Sequence, residues 1–135
     1  MQDNIFIDTN IWIYAFSESN DNKSKLAKTL IKKNNIYLNT QVLNEICFQL
    51  IKNENYNDEE ILQLVKNMYK KYDVVKIDEK TILGASLLRE KYGIKNYWDS
   101  IIVSSAINNE CSILYSDIIK TKNPIQEIKI IDPFK

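Results

Sequence analysis

In the stretch NIFIDTNIWIYAF, residues 4–16, the spacing of the apolar residues changes halfway along. Residues 4–8 form a short apolar run that closes in a carboxylate, which is typical of a buried strand in a parallel sheet. Residues 9–16 have helical spacing, with Ile11, Tyr14 and Ala15 at i, i+3 and i+4. The stretch therefore predicts a strand followed at once by a helix, with Asp8 at the junction.

The same alternation continues outward along the chain. Short apolar runs predict further strands at 36–38, 74–77, 112–116 and 129–132. Amphipathic or capped segments predict helices at 23–34, 40–53, 57–72, 79–92 and 99–110, with Gly93 as the stop of the fourth. This order requires an α/β fold with a mainly parallel central sheet covered on both faces. In such folds ligands bind beyond the carboxyl ends of the strands.

Length and composition indicate one globular domain over residues 1–135, with 44% hydrophobic content. The 18 basic and 18 acidic residues give a formal net charge of +0, so nucleic-acid binding would need a local patch. Cys47 and Cys111 form no C-x-x-C pair, and we expect two reduced, buried thiols. The N-terminus has a carboxylate where a signal peptide carries positive charge, and no long apolar run occurs. We therefore expect a cytoplasmic protein.

Missing residue types narrow the possible chemistry. The chain has no histidine, which excludes Ser-His-Asp hydrolases, Cys-His proteases and H-E-x-x-H metalloproteases. With only Gly84 and Gly93, neither a phosphate-binding P-loop nor a dinucleotide-binding G-x-G-x-x-G motif can be written. The remaining possibilities are chemistry by carboxylates or no chemistry.

Four carboxylates are the candidates for that chemistry: Asp8, Glu45, Asp99 and Asp117. Asp8 ends the first strand, Asp117 follows the fourth, and Asp99 opens an apolar helix. At about 100° per residue, Glu45 borders the apolar stripe of helix 40–53. Each also has a plain structural explanation, namely a helix cap for Asp8 and Asp99, a solvated helix position for Glu45 and a loop for Asp117.

Considered together, the acids favour a metal site. Clustered carboxylates repel one another unless a cation neutralises them or a proton is shared. Oxygen ligands without histidine or cysteine point to Mg²⁺ or Mn²⁺ rather than zinc. A helix N-terminus at Asp99 would favour the ionised form that a ligand needs.

Three blocks, D-T-N at 8–10, Q-V-L-N-E at 41–45 and Y-W-D at 97–99, resemble the PIN-domain family over the full length of the chain. The closest likeness is to the small bacterial ribonuclease toxins of type II toxin–antitoxin systems, the virulence-associated protein C type. The resemblance implies a three-layer α/β/α fold and acids around one or two divalent ions. By position, Asp8, Glu45 and Asp99 match the core ligands. Asp117 matches a fourth acid, although its motif is one residue shorter than the family's usual form.

The resemblance also implies an activity, a cofactor and partners. The expected activity is endonucleolytic hydrolysis of RNA phosphodiesters with Mg²⁺ or Mn²⁺. The expected partners are an RNA substrate, a small antitoxin protein that lays a helix in an apolar groove, and a second copy of the chain. Aromatic side chains in segments 11–16 and 56–72 are candidates to line that groove or a homodimer interface.

Neighbouring polar, basic and aromatic residues have suggested roles beside the acids. Ser116, together with Thr9 or Asn10, is expected to orient a carboxylate or a water. Two groups of lysines offer cations to RNA, a stripe at positions 25, 28 and 32 and a pair at 120 and 122, although such lysines often only solvate a helix face. Tyr97 and Trp98 either stack on bases or pack in the core, and for Trp98 the core is expected.

Other protein classes fit less well. A receiver domain would need further acids beside Asp8, and a haloacid-dehalogenase-type phosphatase would need D-x-D-x-T where the chain has D-T-N-I-W. The open alternative is a catalytically inactive PIN-like module that binds protein. The neutral net charge and the short motif at Asp117 are its support.

Overall fold

The computed structural model describes residues 3–121, 123–125 and 127–135. Its elements follow the predicted alternation of strands and helices. The strands are β1 (Ile5–Ile7), β2 (Ile36–Asn39), β3 (Asp73–Val75), β4 (Ile113–Tyr115) and β5 (Lys129–Ile131). The helices are α1 (Thr9–Phe16), α2 (Asn22–Leu30), α3 (Thr40–Asn53), α4 (Asp58–Lys71), α5 (Glu79–Tyr92) and α6 (Tyr97–Asn108).

The five strands form one sheet in the order β3-β2-β1-β4-β5, and every pairing is parallel. This confirms the expected three-layer α/β/α fold with a parallel central sheet. The chain moves from β1 outward to β3 on one side and then crosses to β4 and β5 on the other. The carboxyl ends of β1 and β4 therefore flank the point where the strand order reverses, which is where ligands bind in open α/β sheets.

The core is built on the central strand. All three residues of β1 are buried, as the apolar run predicts. Trp12 of α1 packs beside them with no exposed surface, and its indole N–H donates to the Ile7 carbonyl oxygen at 3.0 Å. Burying a side chain of this size contributes roughly 2–3 kcal/mol, and the hydrogen bond removes the penalty for its one polar group. The start of α1 is thereby fixed against the end of β1.

Two predicted helix boundaries are wrong. Helix α2 ends at Leu30 instead of residue 34, because the segment after it is polar and exposed and turns through Asn35 at φ 60°. Helix α6 begins at Tyr97, two residues before the predicted start. Its N-cap is Asn96, whose side chain accepts the Asp99 backbone N–H at 3.1 Å.

Other local predictions are confirmed. Gly93 ends α5 in the left-handed region, at φ 67° and ψ 34°. Both cysteines are free thiols; Cys111 is buried and Cys47 is partly buried. In the part of the chain that the structure describes, no helix is long and apolar enough to cross a membrane.

Candidate active site

Asp8 lies at the carboxyl end of β1 and is almost fully buried, with 1% of its surface exposed. Its backbone N–H donates to the Tyr115 carbonyl oxygen at 3.0 Å, which ties it to the end of β4. Its Oδ1 accepts the Thr9 backbone N–H at 2.7 Å, and Oδ2 accepts the Ser116 hydroxyl at 2.8 Å. The helix-cap explanation is thus correct for Asp8, and it leaves the carboxylate inside the strand-end crevice.

Ser116 orients Asp8 in a defined way. Its Oγ accepts the backbone N–H groups of Ile118 at 3.2 Å and Ile119 at 3.0 Å. A hydroxyl has two acceptor sites and one proton, so with both acceptor sites occupied the proton is directed at Asp8. The turn after β4 therefore fixes both the serine and the carboxylate it supports.

Two side chains hold the carboxylate of Glu45, which is half-buried on α3. The Thr9 hydroxyl donates to its Oε2 at 3.0 Å, and Gln41 Nε2 donates to its Oε1 at 3.1 Å. The predicted position of Glu45 at the border of the apolar stripe is confirmed. Gln41 lies one turn before Glu45, and the sequence analysis gave it no role of its own.

Asn39 positions α3 itself. It is fully buried and caps the helix through its Oδ1, which accepts the Val42 N–H at 2.8 Å. Its Nδ2 donates to the Ser105 hydroxyl of α6 at 3.0 Å. One side chain thus links the end of β2, the start of α3 and the middle of α6. Asn39 was not among the predicted site residues, although an asparagine between a strand and a helix is a recognisable cap signal.

Asp117 is brought to the same turn despite its shortened motif. The Asn10 Nδ2 donates to its Oδ1 at 3.2 Å, so α1 and the segment after β4 are joined beside Asp8. Thr9, Asn10 and Ser116, the three candidates for orienting carboxylates, therefore each donate a hydrogen bond to one of the four acids.

Asp99 is the third residue of α6, so the alternative explanation of this residue as a helix cap does not hold. Its pKa is raised, first by burial and then by the negative charge of Glu45. The helix N-terminus was expected to favour the ionised form of Asp99. Burial and the charge of Glu45 outweigh that effect.

The charges of the acids are coupled. Burial raises the pKa of Asp8 to about 6, hydrogen bonds from Ser116 and Thr9 oppose that rise, and the charges of Asp99 and Glu45 add to it. Within residues 3–121, 123–125 and 127–135, none of these acids forms an ion pair with a lysine or arginine. The crevice therefore concentrates negative charge without a protein cation to balance it.

A divalent cation fits this donor chemistry, because hard oxygen ligands and excess negative charge are what Mg²⁺ and Mn²⁺ require. The described part of the chain contains no group of three or more acidic or cysteine side chains already gathered at metal-binding spacing. Asp8, Glu45, Asp99 and Asp117 as metal ligands therefore remain a prediction.

The basic and aromatic neighbours differ from expectation. Lys28 Nζ donates to the carbonyl oxygens of Ser17 at 3.0 Å and Ser19 at 3.4 Å, so it braces a loop instead of facing solvent as part of a stripe. Lys32 lies beyond the end of α2, and Lys122 lies outside the described residues.

The expectation that Trp98 packs in the core is wrong. It is 52% exposed, and its ring meets that of Tyr97 edge to face at 5.4 Å. At the second position of α6 it projects from the helix start, while the apolar residues that follow are the ones that pack inward.

A family model described as PIN domain matches residues 5–119, and the chain belongs to the PIN-domain family. Among curated proteins no match was found. The solved structures include similar chains at 15–22% identity. One is a toxin–antitoxin complex from Klebsiella pneumoniae, with a TM-score of 0.72 and 19% identity, covering 96% of this chain and 97% of that one.

Two further solved structures share the fold. VapC20 from Mycobacterium tuberculosis, a Sarcin-Ricin loop cleaving toxin, has a TM-score of 0.65 and 15% identity over 83% of this chain and 88% of its own. VapBC2 from Rickettsia felis, bound to a DNA fragment from its promoter, has a TM-score of 0.65 and 22% identity over 94% and 96%. At these identities the likeness shows the fold.

Proposed function

We propose that this chain is a metal-dependent endoribonuclease and the toxin of a toxin–antitoxin pair. The observation that carries the proposal is the arrangement at the carboxyl edge of the sheet, where Ser116 holds Asp8, Thr9 holds Glu45, and no lysine or arginine among the described residues pairs with either acid. Membership of the PIN-domain family and the fold shared with VapC20 support RNA as the substrate.

In the proposed reaction, Asp8, Glu45 and Asp99 would hold Mg²⁺ or Mn²⁺, and Asp117 would join them from the segment after β4. An ion at this site would supply a lowered pKa for a water and positive charge against the phosphodiester. Ser116 and Thr9 keep Asp8 and Glu45 in fixed rotamers, which removes the need to order them when substrate arrives. Water would attack the phosphorus as the bond to the 3′ oxygen breaks, and the proton that the water loses would be balanced by one gained at the 3′ oxygen, so the products would carry a 5′-phosphate and a 3′-hydroxyl.

The proposed partners are a small antitoxin and a second copy of the chain, in the cytoplasm. A similar chain was solved in a toxin–antitoxin complex from Klebsiella pneumoniae, and another in VapBC2 from Rickettsia felis bound to a DNA fragment from its promoter. In segment 56–72 the side chains of Leu62 and Tyr69 are exposed and suit an amphipathic helix. In segment 11–16 Trp12 is buried in the core, so Tyr14 and Phe16, which are partly buried, are the aromatic candidates there.

The test compares the parent with Asp99→Asn on a pool of structured RNAs in Mg²⁺, Mn²⁺ or EDTA. Asp58→Asn, an exposed acid at the start of α4, is the matched control. We expect metal-dependent cleavage by the parent and the control. Loss of a residue that only supports a ligand lowers activity by about 10–100-fold, so loss of a ligand should exceed roughly 100-fold.

Two outcomes would contradict the ribonuclease. One is cleavage that persists in Asp99→Asn, which would place the activity elsewhere or in a contaminant. The other is an inert parent with every metal and RNA while antitoxin binding is retained. That second result would establish the protein-binding module instead.

A further inference from the structure

A groove of about 380 Å³ opens beside Asp99, between the loop before α6 and the segment after β4. Its volume lies in the range of about 300–1,000 Å³ that is usual for ligand-binding clefts. The side chains that line it include Lys95 and Asn96 on one wall and Ile118 and Lys120 on the other. We call this feature the Lys95–Lys120 groove.

The two lysines of the groove face solvent without an ionic partner among the described residues, although Asp99 lies on the same surface. The backbone of Lys95 is fixed, because Arg89 Nη1 donates to its carbonyl oxygen at 2.7 Å. Two unpaired cations on a concave surface attract an anionic ligand.

An RNA strand has the chemistry that this arrangement recognises. Its phosphates need cations, and the formal net charge of +0 provides no general attraction. Ile118, 52% exposed at the groove, adds an apolar contact for a ribose or base. The predicted lysine stripe on α2 is a poorer path, because Lys28 is occupied by two carbonyl groups.

We propose that the Lys95–Lys120 groove binds the RNA backbone next to the cleaved bond, with Lys95 and Lys120 contacting phosphates. The inference rests on the proposed ribonuclease function and states where the substrate lies. Asp99 at the edge of the groove places the bound phosphates directly beside the acids.

The test measures binding of a labelled single-stranded RNA of mixed sequence in EDTA, where metal-dependent cleavage cannot occur. The double variant Lys95→Gln/Lys120→Gln is compared with the parent and with Lys66→Gln/Lys70→Gln. The control removes the same charge from exposed positions of α4. Affinity is measured over a series of salt concentrations.

We expect the groove variant to bind at least about 10-fold more weakly than the parent and the control. The slope of log K against log salt should fall by roughly 1.4, since each lost phosphate contact on a single strand removes about 0.7. If the groove variant has the same affinity and salt slope as the control, the inference is overturned. It is also overturned if the parent does not bind RNA.

Cleavage assays separate this inference from the proposed function. If the parent cleaves RNA and the groove variant binds like the control, only the groove assignment fails. If the groove variant loses binding while neither protein cleaves, the groove is supported and the ribonuclease fails. With both correct, the groove variant shows a raised KM and a nearly unchanged kcat.

Discussion

The residues Asp8, Thr9 and Asn10 follow one another in the chain and contact three different side chains, one on α3 and two in the segment after β4. Asp8 accepts from Ser116 after β4, Thr9 donates to Glu45 on α3, and Asn10 donates to Asp117. This works because a helix begins at Thr9 directly after a strand, so successive side chains leave the turn in different directions. Each of the three can be altered while the other two contacts remain.

The raised pKa of Asp8 predicts a pH-dependent stability in the absence of divalent metal. Its value of about 6 exceeds the ordinary 3.8, so between these pH values the native state binds more protons than the unfolded state. The free energy of unfolding therefore falls as pH rises through this window, by about 3 kcal/mol in total. Urea unfolding in EDTA should show Asp8→Asn gaining about that much relative to the parent between pH 4 and pH 7.5.

Asp78→Asn provides a control, because its effect on stability should depend on pH in the opposite direction. The pKa of Asp78 is lowered, chiefly by hydrogen bonds from the backbone and side chain of Thr81. Its stabilising effect is present at neutral pH and lost as pH falls below about 4. If the difference between parent and Asp8→Asn does not change with pH, the raised pKa of Asp8 is refuted.

Removing the Ser116 hydroxyl should raise the pKa of Asp8 above 6. This hydrogen bond is the largest effect that opposes burial, and a bond to a charged group contributes about 1.5–3 kcal/mol, or roughly one to two pKa units. NMR titration of the carboxyl carbon in EDTA measures the change for Ser116→Ala. Ser112, whose hydroxyl donates to exposed Asp3, provides the control, and Ser112→Ala should leave the Asp8 titration unchanged. A pKa of Asp8 that stays the same or falls in Ser116→Ala would show that the serine does not direct its proton at the carboxylate.

The sequence correctly indicated which side chains form hydrogen bonds with the acids. It was a poorer guide to the other surroundings of the site. Thr9, Asn10 and Ser116 lie within three residues of strand ends, so their proximity to the acids follows from a parallel sheet. The exposure of Trp98 and the link from Asn39 to α6 depend on how α6 is rotated against the sheet. That rotation is set by tertiary packing, and local periodicity does not encode it.

At the scale of elements, the helices with strong caps were predicted most closely. Helix α3 spans the predicted 40–53, because Asn39 caps it and a regular apolar stripe runs its length. Helix α4 begins with a capping box between Asn57 and Glu60. Helix α6 was misplaced at its start because its own cap, Asn96, lies in a polar segment where several residues could serve. The α5–α6 contact, which holds Asp99 in place, depends on small side chains that such patterns do not show.

A substitution at Gly84 tests the contact between α5 and α6. A Cβ at this position would lie 2.6 Å from Ser104 Oγ, which donates to the Thr81 carbonyl oxygen at 2.7 Å. Gly84→Ala should lower the free energy of unfolding by about 1 kcal/mol, because displacing the buried hydroxyl costs about 2 kcal/mol and helix propensity returns about 1. In a Ser104→Ala background the next atom is 3.8 Å away, so the same change should instead stabilise by about 1 kcal/mol.

Urea unfolding of the four proteins in this cycle measures the reversal of sign. Ser86→Ala, an exposed position on the same helix, is the control and should change stability by less than about 0.5 kcal/mol. Equal effects of Gly84→Ala in both backgrounds would mean that α5 and α6 are not in close contact at Ser104.

At the scale of the whole molecule, the balanced net charge hides an uneven distribution. The acids converge where the parallel strands end, and the lysines of the groove lie beside them. The composition of the sequence reports only the sum, whereas the topology determines which charges meet. The parallel alternation was readable from the sequence because the first three apolar runs were each followed by helical segments of sufficient length. The strand order, which creates the crevice between β1 and β4, required the three-dimensional structure.

Metal binding at that crevice should stabilise the entire fold, whatever RNA the protein cleaves. An ion that binds only the native state adds about 1.4 kcal/mol at ten times its Kd, or roughly 4–6 °C in Tm for a chain of this size. We expect this rise for the parent in Mg²⁺ or Mn²⁺ at pH 7.5, and for Asp58→Asn. The double variant Asp8→Asn/Asp99→Asn should be more stable than the parent in EDTA, because two negative charges that repel each other are removed. Its Tm should not rise further when metal is added. A rise of equal size in the double variant would place the ion elsewhere, and no rise in the parent would remove the cation from the proposed site.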